Sequence, residues 1–338
     1  MIANILAVAV CLAVILLSCA LFTNGIEWFG KKLNLGHGAV GSVLAAVGTA
    51  LPETIIPILA ILVYGDEKSI EIGVGAIAGA PFMLATLTFF MTGLAVILYA
   101  AAGKRSLKMD ADIKIFSRDL SFFLVIYAAA VLTTFIRREI LIKDIIALSL
   151  FALYIIYIRH TFKHDSGHES GELERLMFSR VFRVRENMLV IVVQVLIALA
   201  GIIIGSHLFI SNVEHLAALL GVAPLILSII ITPIATELPE KFNSIIWVGA
   251  KKDTLALGNV TGAMVFQSCV PVVFGMIFTE WHLTGPTMAS AVLAITSSAL
   301  ILAWVRIRKT VNPIALLFGG VLYTAFLVYI FGGAGGVA

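Results

Sequence analysis

Long apolar runs separated by short polar connections dominate the 338-residue chain. A helix needs about 20 mostly apolar residues to cross the hydrocarbon core of a bilayer, and ten such runs can be counted. The pattern therefore predicts an all-α integral membrane protein with about ten transmembrane helices. The predicted spans cover approximately residues 2–23, 38–64, 70–99, 119–136, 140–160, 187–210, 220–249, 253–279, 284–305 and 311–332.

One long polar stretch divides these spans into two sets of five. It predicts a first five-helix unit over residues 1–160, a loop over 161–186 and a second five-helix unit over 187–338. Because five is an odd number, the second unit enters the membrane from the opposite side to the first. Any repeat between the two units must then be inverted, as in many secondary transporters that bind their cargo near the midplane.

The distribution of Lys and Arg predicts the orientation. Eighteen of these residues lie in connections that follow odd-numbered spans, four lie in connections that follow even-numbered spans, and Lys241 falls inside the seventh span. Positively charged connections favour the cytoplasmic side of a membrane. We therefore expect a multi-pass protein of the plasma membrane with a cytoplasmic central loop and both termini outside.

Composition supports a lipid environment and narrows the function. Hydrophobic residues make up 60% of the chain, charged residues make up 13%, and the mean hydropathy is +1.06, which a soluble fold cannot accommodate. The net charge of +3 gives no indication of a nucleic-acid partner. We expect the lipid bilayer and small inorganic cations as partners, whereas the sequence does not specify an oligomeric state.

Motifs of catalysis and of nucleotide binding are missing from the sequence. It contains no Gly-x-Ser-x-Gly, no His-Glu-x-x-His and no Gly-x-x-x-x-Gly-Lys-Ser/Thr. We therefore expect a non-enzymatic protein without a cofactor, in which an ion gradient supplies the energy. The three cysteines (Cys11, Cys19 and Cys269) lie in apolar runs without metal-ligand spacing, so we interpret them as packing residues.

Two similar stretches each place a carboxylate directly after a proline inside an apolar run. They are Val47–Glu53 and Ile234–Glu240, which share the pattern Thr-x-Leu-Pro-Glu. A charged side chain at the bilayer centre costs about 3 kcal/mol on insertion scales, so such residues are usually functional. Further along, the small residues of 75–80 match those of 258–263, and small residues let neighbouring helices approach closely. Two matches in the same order indicate an internal duplication.

The chemistry of the duplicated motif suits a hard cation. Each proline leaves one helical carbonyl without its N–H partner, and a threonine one turn before each glutamate shares its face. These groups all present oxygen, which favours Ca²⁺ or Na⁺ over Zn²⁺ or Cu⁺. The candidate cation-binding residues are Glu53, Glu240, Thr49, Thr236, Glu237, Gln267, Gly48 and Ala235, with Glu53 and Glu240 as the metal ligands.

The spacing leaves the roles of three polar residues open. Glu237 either faces the site or pairs with Lys241, four residues later. A third possibility is that the Lys241 ammonium itself takes the place of a bound cation. Gln267 is either a neutral ligand or a hydrogen-bonding link between helices, and for Asn259 the link is favoured.

The two motifs, together with Gly-Asn-Val-Thr-Gly-Ala-Met-Val-Phe-Gln over residues 258–267, resemble the two alpha repeats of the calcium/cation antiporter superfamily. The prokaryotic sodium/calcium exchangers are the branch that the chain resembles most. The resemblance implies ten helices and an ion site at the midplane between helices 2, 3, 7 and 8. It also implies that Glu53 and Glu240 coordinate Ca²⁺ or Na⁺, with further oxygens from Thr49 and Thr236.

The chain departs from the family pattern at several oxygen-bearing positions. The family's repeat commonly reads Gly-Thr-Ser-x-Pro-Glu, whereas the serine position holds Ala50 in one half and Glu237 in the other. The Gly-Ser-Asn signature becomes Gly-Ala-Pro over 79–81 and Gly-Ala-Met over 262–264, and the later Asn or Asp position holds Leu84 and Gln267. The site thus loses several oxygens and gains one carboxylate.

These observations predict a secondary active antiporter that exchanges Ca²⁺ for Na⁺ or H⁺ by alternating access. Protons are a candidate coupling ion because neighbouring carboxylates disfavour each other's ionisation. The alternative is a cation channel, or a non-transporting membrane ion sensor, built on the exchanger fold.

Overall fold

A computed structural model of the chain describes residues 2–32, 51–136, 140–164, 175–283 and 285–332. These residues form α-helices joined by short connections, and the described part of the chain contains no β-strand. The helices are α1 Ile2–Lys32, α2 Leu51–Ile58, α3 Glu67–Met83, α4 Phe89–Ala101, α5 Ile113–Leu132, α6 Ile140–His164, α7 Met177–Phe182, α8 Met188–Leu220, α9 Pro224–Thr236, α10 Leu238–Gly249, α11 Asp253–Phe278, α12 Gly285–Arg308 and α13 Pro313–Phe331.

Eight helical segments of the described chain are long and apolar enough to cross a membrane, which confirms a multi-pass, all-α membrane protein. They are Asn4–Ile26, Glu67–Ala101, Ile113–Phe135, Leu141–Thr161, Met188–Leu220, Asp253–Phe278, Gly285–Arg308 and Pro313–Phe331. Two shorter apolar helices, Glu53–Tyr64 and Pro224–Ile234, fall within the predicted second and seventh spans. The full count of ten spans stays a prediction.

Several helices continue beyond the predicted ends. Helix α1 extends to Lys32, and α8 extends over 33 residues to Leu220, a length of about 50 Å at 1.5 Å per residue. Helix α8 ends where Gly221 adopts a left-handed φ of 64° and donates its N–H to carbonyls of the last turn. The predicted ends followed the thickness of a membrane, whereas α8 ends at a capping residue.

Two π-helical segments interrupt the helices near the proposed repeat motifs. They are Leu59–Tyr64, which continues α2, and Leu84–Thr88, which joins α3 to α4. The second lies three residues after Pro81, which has no N–H to donate within α3. Such π-helical turns often occur at functional sites.

The seventh predicted span consists of two helices rather than one kinked helix. Helix α9 ends at Thr236, Glu237 leaves the helical conformation with φ −92° and ψ 12°, and α10 starts at Leu238. Pro239 then lies in the first turn of α10, where its missing N–H removes no helical hydrogen bond. The proline therefore starts a new helix instead of bending the old one.

Helix α3 packs closely against α9 through its small residues. A Cβ added at Gly75 would lie 2.7 Å from the carbonyl oxygen of Leu225, and one at Gly79 would overlap the backbone of Ile229. The Ser228 hydroxyl on α9 donates to the Ile72 carbonyl at 2.7 Å. In the first half, small residues thus do allow close approach. For Gly258 and Gly262, an added Cβ would meet no described atom within 4 Å.

Candidate cation site

Buried charged residues from three elements lie at the break between α9 and α10. Helix α2 supplies Glu53, the break supplies Glu237, and the first turn of α10 supplies Glu240 and Lys241. Their exposed fractions are 3% for Glu53, 0% for Glu237, 4% for Glu240 and 3% for Lys241. Charges are this deeply buried only where they are paired or bind an ion.

Glu53 receives a hydrogen bond from the opposite half of the chain. The Gln267 amide on α11 donates from Nε2 to Glu53 Oε1 at 2.8 Å, and both side chains are buried. Glu53 also lies within electrostatic range of Glu240, Glu237 and Lys241. Among the alternatives left open by the sequence, Gln267 therefore links α11 to the side chain of Glu53, which places its amide directly at the candidate site.

The Lys241 ammonium binds the end of α9. It donates to the carbonyl oxygens of Pro233 at 2.9 Å and Ile234 at 3.3 Å, and it lies 3.5 Å from Glu237 Oε2. The Pro233 carbonyl also accepts the Glu237 N–H at 3.3 Å, and the carbonyl end of a helix carries partial negative charge. A cation at this end is therefore stabilised by backbone as well as by the carboxylate. Lys241 pairs with Glu237, in agreement with one of the two expected arrangements.

Four buried carboxylate oxygens accept no hydrogen bond from the described residues. They are Glu53 Oε2, both oxygens of Glu237, and Glu240 Oε2. Almost all buried polar atoms in proteins have partners, so these oxygens have unused capacity to bind a proton or a cation. In the described part of the chain, no group of three or more His, Cys, Asp or Glu side chains is arranged to hold a metal ion.

Hydroxyl groups line α9 on the approach to these carboxylates. Ser228 and Thr232 are 3.2 Å apart, and the Thr236 hydroxyl donates to the Thr232 carbonyl at 3.0 Å. Thr236 is 1% exposed, and its oxygen keeps lone pairs for a cation. Ala235 lies in the last turn of α9, whereas Gly48 and Thr49 lie outside the described residues.

Asn259 acts as the expected link between helices. Its amide donates to the Glu240 carbonyl at 3.2 Å and to the Ser244 hydroxyl at 3.5 Å, so it joins α11 to α10. The contact holds the first turn of α10, and with it Glu240, against α11. Asn259 thus positions the site through backbone rather than through the carboxylate.

Sequence reasoning missed two features of this region. The carbonyls of Pro233 and Ile234 were not expected to hold Lys241, because the end of α9 could not be located from an uninterrupted apolar run. The hydroxyl row of Ser228, Thr232 and Thr236 was not recognised as a row, although its i, i+4 spacing was a usable signal.

Comparison with protein families gives a match over both halves. The family model described as sodium/calcium exchanger protein matches residues 3–163 and 190–332. The chain belongs to this family. This confirms the resemblance to the calcium/cation antiporters that the duplicated motifs indicated.

Individual relatives are distant but cover most of the chain. An uncharacterised membrane protein of Methanocaldococcus jannaschii is 25% identical over 282 residues, which cover 83% of each chain. The crystal structure of the H⁺/Ca²⁺ exchanger CAX superposes with a TM-score of 0.73 at 16% identity, over 97% of this chain and 81% of that one. The sodium-calcium exchanger NCX_Mj gives a TM-score of 0.56 at 19% identity, over 97% and 98% of the two chains. At 16% and 19% identity, the similarity to these two structures establishes the fold of this chain and nothing further.

Proposed function

We propose that this protein is a secondary active antiporter that exchanges Ca²⁺, or a similar cation, for Na⁺ or H⁺ by alternating access. The observation that carries the proposal is the cluster of three buried carboxylates with a single ammonium, in which four carboxylate oxygens have no described hydrogen-bond donor. The two similar structures are named as an H⁺/Ca²⁺ exchanger and a sodium-calcium exchanger, which supports this class of cargo.

Charge balance assigns different roles to the three glutamates. Glu237 lies beside Lys241 at 3.5 Å, so these two groups neutralise each other. Glu53 and Glu240 then carry the two remaining negative charges, which one divalent cation, two sodium ions or two protons would neutralise. In this proposal Glu53 and Glu240 bind the transported cation, and the further oxygens come from Thr49, Thr236, Gly48, Ala235 and Gln267.

Ca²⁺ and the counter-ion, Na⁺ or H⁺, would compete for the same two carboxylates. Ca²⁺ prefers six to eight oxygen ligands, and it would displace both protons or both sodium ions when it enters. Because an empty pair of buried carboxylates is costly, the site favours reorientation only when it is filled. This is the coupling that an antiporter requires.

We further propose two inverted five-helix units, 1–160 and 187–338, joined by a cytoplasmic loop in a plasma-membrane protein with both termini outside. The family model matches one stretch in each unit. Two interhelical hydrogen bonds also support an exchange symmetry. Ser297 on the ninth predicted span donates to the Ala85 carbonyl on the third, and Thr261 on the eighth donates to Asp119 on the fourth. Exchange of the two units converts one pair of spans, the ninth and the third, into the other pair, the fourth and the eighth.

A channel or a non-transporting sensor is the competing function, favoured by the loss of oxygens at two buried positions. Leu84 and Ala80 are 0% and 1% exposed, and neither side chain can bind a cation. A sensor would bind Ca²⁺ without flux. A channel would pass Ca²⁺ down its own gradient without a counter-ion.

The experiment is uptake of radiolabelled Ca²⁺ into proteoliposomes under an imposed Na⁺ gradient, an imposed pH gradient or neither. The proposal predicts saturable accumulation against the Ca²⁺ gradient under one of the two imposed gradients, which also identifies the counter-ion. Ca²⁺ uptake that is the same with and without either imposed gradient would establish a channel. Ca²⁺ binding without uptake would establish a sensor.

A further inference from the structure

Four arginines surround one surface groove beside the short helix α7. Arg175, Arg180, Arg183 and Arg185 line it, together with Ser179 and Glu186, and its volume is about 620 Å³. Even without Arg180, the guanidinium groups of Arg175, Arg183 and Arg185 outnumber the one carboxylate among the described lining residues, so this part of the groove carries excess positive charge. Guanidinium groups bind phosphate oxygens in a bidentate manner, and the groove therefore has the chemistry of a phosphate-binding site.

A second observation also points to an anionic ligand. The Ser179 hydroxyl is buried in the lining of the groove and has no hydrogen-bond partner among the described residues. The hydroxyl oxygen is not accessible from the groove in this position, and a rotation of the Ser179 side chain would let it donate to a phosphate oxygen that the arginines hold. The site thus combines charge with an unused neutral donor.

The helix that carries this groove is fixed to the transmembrane helices. Leu176 is 0% exposed and packs against Trp28 and Ile191. The Met177 N–H donates to Asn24 Oδ1 on α1 at 2.8 Å, and the Phe178 N–H donates to Gln194 Oε1 on α8 at 2.9 Å. The arginines therefore have a defined position relative to both spanning helices.

Apolar side chains next to the groove are exposed at the level where α8 begins. Val181 is 70% exposed, Phe182 is 63% exposed, and Leu189 in the first turn of α8 is 72% exposed. Helix α8 is long and apolar enough to cross a membrane, and its first turn coincides with the start of the sixth predicted span, so we place the membrane surface near this turn. Arginines beside exposed apolar groups at this level match a lipid headgroup above its acyl chains. A soluble phosphate compound would have no use for the apolar part.

We propose that this arginine groove binds the phosphate headgroup of an anionic phospholipid, while Val181 and Phe182 enter the acyl-chain boundary. The lipid would hold α7, and through it the ends of α1 and α8, at the membrane surface. The proposal does not depend on which ion the protein transports.

Native mass spectrometry of the full-length protein in detergent tests the proposal. Phosphatidylglycerol and phosphatidylcholine are titrated separately, and the wild-type protein should retain phosphatidylglycerol at least tenfold more tightly. One basic residue near an anionic surface strengthens association about fivefold. The triple variant Arg175→Gln, Arg183→Gln and Arg185→Gln should therefore lose at least tenfold in phosphatidylglycerol affinity and keep its affinity for phosphatidylcholine.

A matched control removes three exposed cationic side chains elsewhere, through Lys104→Gln, Lys114→Gln and Lys309→Gln, and should retain wild-type lipid binding. Equal loss in this control would overturn the proposal, because net charge alone would then explain the effect. Glycerol phosphate is added as a soluble competitor, and full displacement of the lipid at equal concentration would show a free-phosphate site instead. If the wild-type protein retained phosphatidylglycerol and phosphatidylcholine equally, this result alone would contradict the proposal.

Discussion

Removal of the Lys241 ammonium is the perturbation with the largest expected effect on the site. In Lys241→Met the side chain keeps its length, but Glu237 loses its counter-charge while it stays 0% exposed. The carbonyls of Pro233 and Ile234 also lose a donor. Removal of one partner from a buried ion pair costs about 3–5 kcal/mol. We therefore expect a strong loss of stability in the single variant.

The double variant Glu237→Gln/Lys241→Met separates the charge pair from side-chain packing. The double variant contains no unpaired charge at these positions. Its loss of unfolding free energy should therefore be smaller, by at least about 2 kcal/mol, than the sum of the losses in the single variants Glu237→Gln and Lys241→Met. Thermal unfolding of the purified proteins in one detergent measures this difference. An additive double variant would refute the coupling between Glu237 and Lys241.

Transport by the same variants tests the charge balance proposed for the site. Lys241→Met leaves three carboxylates without an ammonium. The double variant keeps only the carboxylates of Glu53 and Glu240, so the net charge of the cluster returns to that of the wild-type protein. We expect gradient-driven Ca²⁺ uptake to be lost in the single variant and to return, at least in part, in the double variant. Uptake that is lost equally in both would show that Lys241 has a role beyond neutralising Glu237.

Three further variants test contacts between helices outside the carboxylate cluster. Gly79→Ala should destabilise the protein by about 1–3 kcal/mol, because the added Cβ overlaps the Ile229 backbone, whereas Gly285→Ala, which meets only a tyrosine hydroxyl at 3.1 Å, should have little effect on the unfolding temperature. Arg105→Gln should cost about 3–5 kcal/mol, because it removes both guanidinium hydrogen bonds to the buried Asp253 carboxylate, at 2.7 and 2.8 Å; an unchanged unfolding temperature would contradict this reasoning.

The sequence predicted the class of fold because membrane spans depend on long apolar runs, which are visible residue by residue. We expected Glu53 and Glu240 to share one site because the two similar motifs indicated equivalent helices in the two halves, and this assignment stays a prediction. The structure brings Gln267 within 2.8 Å of Glu53 although 214 positions separate them in sequence. The sequence left open whether Gln267 would be a ligand or a link between helices, because no local pattern shows which side chain faces it.

The break at Glu237 was not predicted, because the long apolar run gave no signal for the residue at which α9 ends. A proline after a long apolar run is compatible with a kink or with a new helix, and in this chain Pro239 lies in the first turn of a new helix. Here Lys241 binds the carbonyls of Pro233 and Ile234. The π-helical segment Leu84–Thr88 likewise has no local sequence pattern apart from the nearby Pro81.

The proposed antiport at Glu53 and Glu240 is tested most directly by radiolabelled Ca²⁺ uptake in single neutral variants. Glu53→Gln and Glu240→Gln are compared with Glu67→Gln, which removes an exposed carboxylate at the start of α3, under the gradient that drives the wild-type protein. We predict that each site variant abolishes uptake while Glu67→Gln retains it, provided that all three proteins fold and reconstitute equally. Gradient-driven uptake that persists in both site variants would contradict the assignment of the site.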